Sequence, residues 1–169
     1  ELDCTSVYAH SKKDQEVYSL MIGKAHQIPT IACRYFNCYG PRQSLNNPYT
    51  GAAAIFCSAI KNNEPPLIYE DGNQRRDFIH VRDLVSGKLL LLDHPEANYG
   101  IFNIGTGNAI SINDLASLMI KISGKSLEVE YNKLPVGDIK LSKADTCVAA
   151  ATLGWRSQTT LEEGLQTLF

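Results

Sequence analysis

At 169 residues, 44% of them hydrophobic and 20% charged, the chain has the size and composition of one globular domain. Sixteen basic against eighteen acidic residues leave a net charge of −2, so no global basicity points to nucleic acid or an anionic membrane. No apolar run approaches the roughly 20 residues of a membrane span, and Glu1 and Asp3 stand where a signal peptide would carry basic residues. Five cysteines, Cys4, Cys33, Cys38, Cys57 and Cys147, show no C-x-x-C spacing and read as reduced thiols of a cytoplasmic protein. The four histidines pair at i, i+4 neither with one another nor with a cysteine, so no metal site is expected.

The first element is a helix from about Tyr8 to Gln27, stopped by Pro29, with Val17, Leu20, Met21 and Ile22 expected on one buried stripe. "TIACRYF" (30–36) reads as a buried strand and "YGPRQ" as a turn into a polar loop. A helix over 51–62, a short strand in "PPLIYEDGNQ", a strand in "RDFIHV" and a helix in "VRDLVSGKLLLLDH" follow. "GIFNIGTG" is a strand with a glycine turn. The helix "SINDLASLMIKIS" has Ser111 to cap it and Gly124 to close it. "SLEVEYN" and "DIKLS" read as strands, "KADTCVAAATLGW" as a helix ending at Gly154, and "TTLEEGLQTLF" as a last helix with a Thr160–Glu163 capping box. The alternation of strands and helices makes the chain α/β, one unit over 1–169 with no linker.

Tyr8 and Lys12 lie four residues apart, which places phenol and ammonium on one helix face. A free phenol has a pKa of about 10, and each unit of depression takes about 1.4 kcal/mol of preferential stabilisation of the anion. A lysine one turn away and a nicotinamide cation beside it would supply that, making the tyrosine a base for a sugar hydroxyl. The bland alternative is a surface pair on a solvated helix.

Five blocks occur in order along the chain: "YAHSK" followed by Glu16, "RYFNCYGPRQ", "DGNQRRDFIHVRD", "FNIGTG" and "LGW…TTLEEGL". Their succession resembles the C-terminal half of the extended short-chain dehydrogenase/reductases, the NAD-dependent nucleotide-sugar epimerases and dehydratases. "RQSLNNPYTGAAAIF" and "PPLIYEDGNQRRDFIHVRD" look most like the 4-epimerases of dTDP- and UDP-sugars. The resemblance implies the C-terminal part of a Rossmann-type parallel sheet joined to a small α/β substrate-binding subdomain. By the same resemblance, Tyr8 would be the acid–base group, and Lys12 would bind the nicotinamide ribose. Phe36 would lie beside the nicotinamide and Asn37 against the sugar or phosphate. Tyr69 would pack near the nucleotide base, Arg76 would meet the diphosphate, and Asp138 would accept from the ribose hydroxyls. The alternatives are a salt bridge to Asp77 or Asp71 for Arg76, a core aromatic for Tyr69 and a turn residue for Asn37. At Asp138 the sequence departs from the family, which carries an arginine two or three residues earlier where Pro135 and Val136 stand here.

"GTG" at 105–107 follows a strand, but Ile110 takes the last glycine of the dinucleotide fingerprint, and an ordinary turn is expected. His80 and Asp83 read as structural. The resemblance further implies a dinucleotide-binding half ahead of Tyr8, absent from this sequence, together with the Ser or Thr that shares the tyrosine's proton. It also implies NAD as cofactor, a nucleotide-diphosphate sugar as substrate and a homodimer through the helix bearing Tyr8. The alternatives to a 4-epimerase are a 4,6-dehydratase or a non-catalytic binding or dimerisation fragment.

Overall fold

The computed structural model describes residues 4, 6–44, 50–132 and 139–169. In chain order its elements are α1 (Val7–Ala25), β1 (Ala32–Tyr35), β2 (Asn37–Tyr39), α2 (Ala52–Lys61), β3 (Leu67–Tyr69), β4 (Arg75–Arg76), β5 (Phe78–His80) and α3 (Val81–Leu92). A short 3-10 turn (Pro95–Ala97) precedes β6 (Ile101–Ile104), β7 (Ile110–Ser111), α4 (Ile112–Ser123), β8 (Glu130–Asn132), β9 (Leu141–Ser142), α5 (Cys147–Leu153) and α6 (Leu161–Gln166).

Parallel pairing dominates. β1 runs beside β6, β2 beside β5 and β3 beside β8, while β4 lies parallel to β9 and antiparallel to β7. Parallel neighbours need crossovers, and α3 with β6 behind it makes the link that buries one face of the strands. Two cores result. One joins α2, α4 and α6 through Phe56, Ile60, Leu115, Met119 and Leu165. The other packs α3 and α5 on the strands through Ile79, Leu91, Phe102, Ile104 and Trp155.

Local signals set the helix ends. The Ser111 hydroxyl accepts from the Asp114 N–H at 3.0 Å, and Gly124 closes α4 in the left-handed region at φ 67°. Both halves of the Thr160–Glu163 capping box form at the start of α6. α1 ends two residues short of its expected limit because the chain already turns at Gln27, whose φ is 57°, before Pro29 is reached. "SLEVEYN" contributes only Glu130–Asn132 as strand, since β3 offers three residues to pair; Leu127 and Val129 instead pack on the core.

The buried stripe expected on α1 is not there. Val17, Met21 and Ile22, like Tyr18 between them, are 42%, 61%, 57% and 61% exposed, Leu20 is half-buried, and Gly23 is the residue that α1 buries fully. The apolar positions are only weakly periodic, and no element of the described chain covers Val17, Met21 and Ile22. At Gly23 a Cβ would come within 2.2 Å of the Thr30 hydroxyl oxygen, so glycine here lets the helix end approach the segment leading into β1.

Candidate active site

Tyr8 stands in the first turn of α1, with Lys12 one turn on and its ammonium 5.7 Å from the centre of the Tyr8 ring. Ser6 caps the helix by accepting from the Ala9 N–H at 3.1 Å, so the turn that carries the phenol is tied at its origin. Tyr8 borders a cavity of about 550 Å³ whose wall includes Arg34, Phe36, Asn37, Tyr39 and Ser142. Phe36 links β1 to β2 and donates its N–H to Ile104, and Asn37 donates to the Asp77 carbonyl at 3.0 Å. Four of the expected site residues, Tyr8, Lys12, Phe36 and Asn37, are thus gathered at one place, three on the wall and Lys12 on the helix face beside it.

Other polar groups on this wall are poor bases. Burial raises the Tyr35 and Tyr39 phenols above their ordinary value, and it does the same to the Cys38 thiol. Tyr8 is 70% exposed and opens directly onto the space. Arg34, which motif and spacing do not single out, borders the cavity, and its guanidinium grips Glu16 of α1 in a fork with both contacts at 2.7 Å. The signal for it was in the spacing: Glu16 continues the Tyr8, Lys12 face by another four residues.

Arg76 and Tyr69 are placed elsewhere. Arg76 is 9% exposed, and its Nη1 donates to the Arg75 carbonyl at 2.8 Å and to that of Ile139. It borders a second cavity of about 340 Å³ with Thr106, Asn108 and the segment Ser157–Leu161. Phe78 belongs to both walls and separates the two spaces. Tyr69, 47% exposed, borders a third, more apolar recess with Ile55, Leu67 and Gln74, so it is not the core aromatic of the alternative reading. Asp138 lies outside the described residues.

Asp77 organises this region. Fully buried, its carboxylate accepts from the Thr106 N–H (3.0 Å) and hydroxyl (2.6 Å) through Oδ1, and from the Gly107 (2.9 Å) and Ala144 (3.1 Å) N–H groups through Oδ2. Amides of a glycine turn after a strand are the usual seat of a phosphate; here the chain's own carboxylate fills it. The GTG turn is therefore structural, as expected. His80 and Asp83 are structural too. The His80 Nδ1 accepts from the Arg82 N–H, and Asp83 accepts from the Gln158 and Thr159 N–H groups, anchoring the approach to α6.

The NAD dependent epimerase/dehydratase family matches residues 1–105. The chain belongs to that family. A dTDP-L-rhamnose 4-epimerase of Burkholderia thailandensis is 34% identical over 97% of the chain and 45% of its own length. Among solved structures, the UDP-glucose 4-epimerase of Thermotoga maritima with UDP-glucose superimposes with a TM-score of 0.89 at 33% identity, covering 95% of this chain and 51% of that one. The UDP-glucuronic acid 4-epimerase of Bacillus cereus, in complex with UDP-glucuronic acid and NAD, gives 0.85 at 28%, covering 99% and 55%. The fold is accordingly the α/β arrangement of Rossmann-type epimerases. The chain spans about half the length of the curated relatives it matches. No helix among the described residues is long and apolar enough to cross a membrane.

Proposed function

We propose that this chain supplies the acid–base and sugar-binding half of an NAD-dependent nucleotide-sugar 4-epimerase, with a dinucleotide-binding half as in its relatives. The observation that carries the reading is the Tyr8 phenol, exposed at the rim of a cavity walled by Phe36 and Asn37, with the Lys12 ammonium against its ring. The residues present fit the nicotinamide end of the cofactor. Lys12 has the charge and reach to hold ribose hydroxyls, and Phe36 offers an apolar wall. They do not cradle its pyrophosphate, because the GTG amides are taken by Asp77. NAD, when bound, supplies an acceptor for the C4 hydride and then its donor.

Tyr8 takes the proton of the C4 hydroxyl and returns one to the same oxygen after the sugar has presented its other face. Lys12, its ammonium 5.7 Å from the ring centre, stands on the same side of α1 for the nicotinamide ribose. Asn37 offers an amide to the sugar or its phosphate. Arg76, behind Phe78, is positioned for a diphosphate running toward the second cavity, and Tyr69 for the base in the third recess; Asp138 is proposed for the ribose. A nucleotide sugar that reaches all three would extend across the wall formed by Phe78. The exposed Val17, Tyr18, Met21 and Ile22 support a homodimer paired through α1, since a patch of this kind is the usual mark of a partner surface. The cytoplasm is the compartment we assign, where five thiols without disulfide spacing stay reduced.

The test is to incubate a protein of the relatives' full length that carries this segment with dTDP- and UDP-sugars and to score inversion at C4. Inversion that disappears in Tyr8→Phe supports the reading; turnover that survives Tyr8→Phe removes it.

A further inference from the structure

The helix that carries Tyr8 is poorly held by its own side chains. Of its nineteen residues Gly23 alone is buried, and that contact lies at the far end, where Ile28 donates its N–H to the Gly23 carbonyl. Between that anchor and Tyr8 stands, among the described residues, one charged contact to the strands. Arg34 of β1 meets Glu16 through Nε to Oε2 and Nη2 to Oε1, both at 2.7 Å. This is the fork geometry that fixes direction as well as distance. The pair is sheltered, with side-chain exposures of 35% for Arg34 and 13% for Glu16, and the bond to Glu16 raises the pKa of the guanidinium further.

We infer that the Glu16–Arg34 fork is a positioning device, which sets the roll of α1 about its axis and thereby the place of the Tyr8 phenol at the cavity. Tyr8, Lys12 and Glu16 recur every four residues and share a helix face, so what holds Glu16 orients the other two. Glu16 lies about 12 Å along the axis from Tyr8. A side-chain tip about 6 Å from a helix axis moves about 1 Å for each 10° of roll. A misplacement of that size at a reacting group costs about 100-fold in rate. Val17, Tyr18, Met21 and Ile22 are exposed, and Leu20 is the one half-buried side chain between residues 17 and 22, so apolar packing there constrains the roll of α1 weakly. Arg34 also borders the cavity beside Tyr8, two residues before Phe36, so the fork joins the proposed base to the strand that carries the proposed nicotinamide wall. This assignment rests on the proposed role of Tyr8.

The experiment uses a protein of the relatives' full length carrying this segment and compares Glu16→Gln, Arg34→Lys and the reversed pair Glu16→Arg/Arg34→Glu. Hydrogen exchange by mass spectrometry is read at residues 7–16 and at 112–123, alongside kcat and KM. The expected result is faster exchange at 7–16 in each single variant and unchanged exchange at 112–123. With it, kcat drops about 10- to 100-fold at a KM for the nucleotide sugar that stays within about threefold. The reversed pair recovers protection at 7–16 and at least part of kcat. Unchanged exchange at 7–16, loosening that spreads equally to 112–123, or a reversed pair no better than the singles each overturns the inference. Tyr8→Phe separates the two readings: it keeps α1 protected, and turnover persisting in it counts against the role of Tyr8, whereas the exchange arm reports on the fork alone.

Discussion

α1 and α4 both carry apolar residues between charged ones and are used in opposite ways. α4 has twelve residues and buries Ile112, Leu115, Ala116 and Met119; α1 has nineteen and buries Gly23. α4 is built into a core with α2 and α6, so its place is set by packing. α1 is held by a glycine contact at one end, an ion-pair fork in the middle and a serine cap at the start, which leaves its apolar face and its phenol open. Fold support and the proposed chemistry are assigned to different helices.

That contrast can be broken most sharply by paired truncations. Leu115→Ala should lose about 2–5 kcal/mol, because a fully buried leucine leaves a cavity that its neighbours fill only in part. Met21→Ala in α1 should stay within about 0.5 kcal/mol in the isolated chain. Urea unfolding of the two proteins checks both, and equal losses would show that α1 is packed after all.

Next in size is Asp77→Asn, expected to cost about 3 kcal/mol. Each carboxylate oxygen accepts two donors, so either orientation of the amide sets an NH2 group against N–H or O–H groups. The same unfolding measurement reads it, and a neutral outcome would mean that the GTG turn is held by something other than this carboxylate. Gly23→Ala comes third, at about 1–3 kcal/mol, as the new methyl must displace Thr30. If α1 is as weakly supported as its burial says, exchange should rise at residues 7–25 in this variant before it rises elsewhere.

The smallest effect is a pH dependence at His80. Burial lowers its pKa below the ordinary histidine value, with the Arg82 charge adding to the shift. A group that resists protonation only when folded gives stability that is present above the unfolded pKa, about 6.5, and is lost as pH falls through it toward the depressed folded value. The melting temperature should therefore slope downward below about pH 6.5, and His80→Gln should flatten that part of the slope. A slope unaltered in the variant would assign it to the carboxylates instead.

Much of the architecture was legible in local residues. Ser111, Gly124, Gly154 and the Thr160–Glu163 box mark helix ends because caps are satisfied by side chains three residues away or by a left-handed glycine. Tyr8 and Lys12 were legible for the same reason, since one helical turn brings them together without help from the rest of the chain. Misreading entered where a pattern had to be given a partner. The stripe at Val17, Leu20, Met21 and Ile22 shows that α1 has an apolar side, but periodicity carries no record of what covers it.

The sequence by itself determined the order of the helices and of most strands, though not β2, β4 and β7, together with the helix caps and the phenol–ammonium pair, all features spanning a few residues. Only the tertiary structure decided that Asp77 is filled by Thr106, Gly107 and Ala144 from separate segments, that Arg34 reaches back to Glu16, and that Arg76 and Tyr69 face cavities other than the one at Tyr8. Those contacts join residues 18 to 67 positions apart, and such distances close through the register of parallel strands, which no short window of sequence encodes.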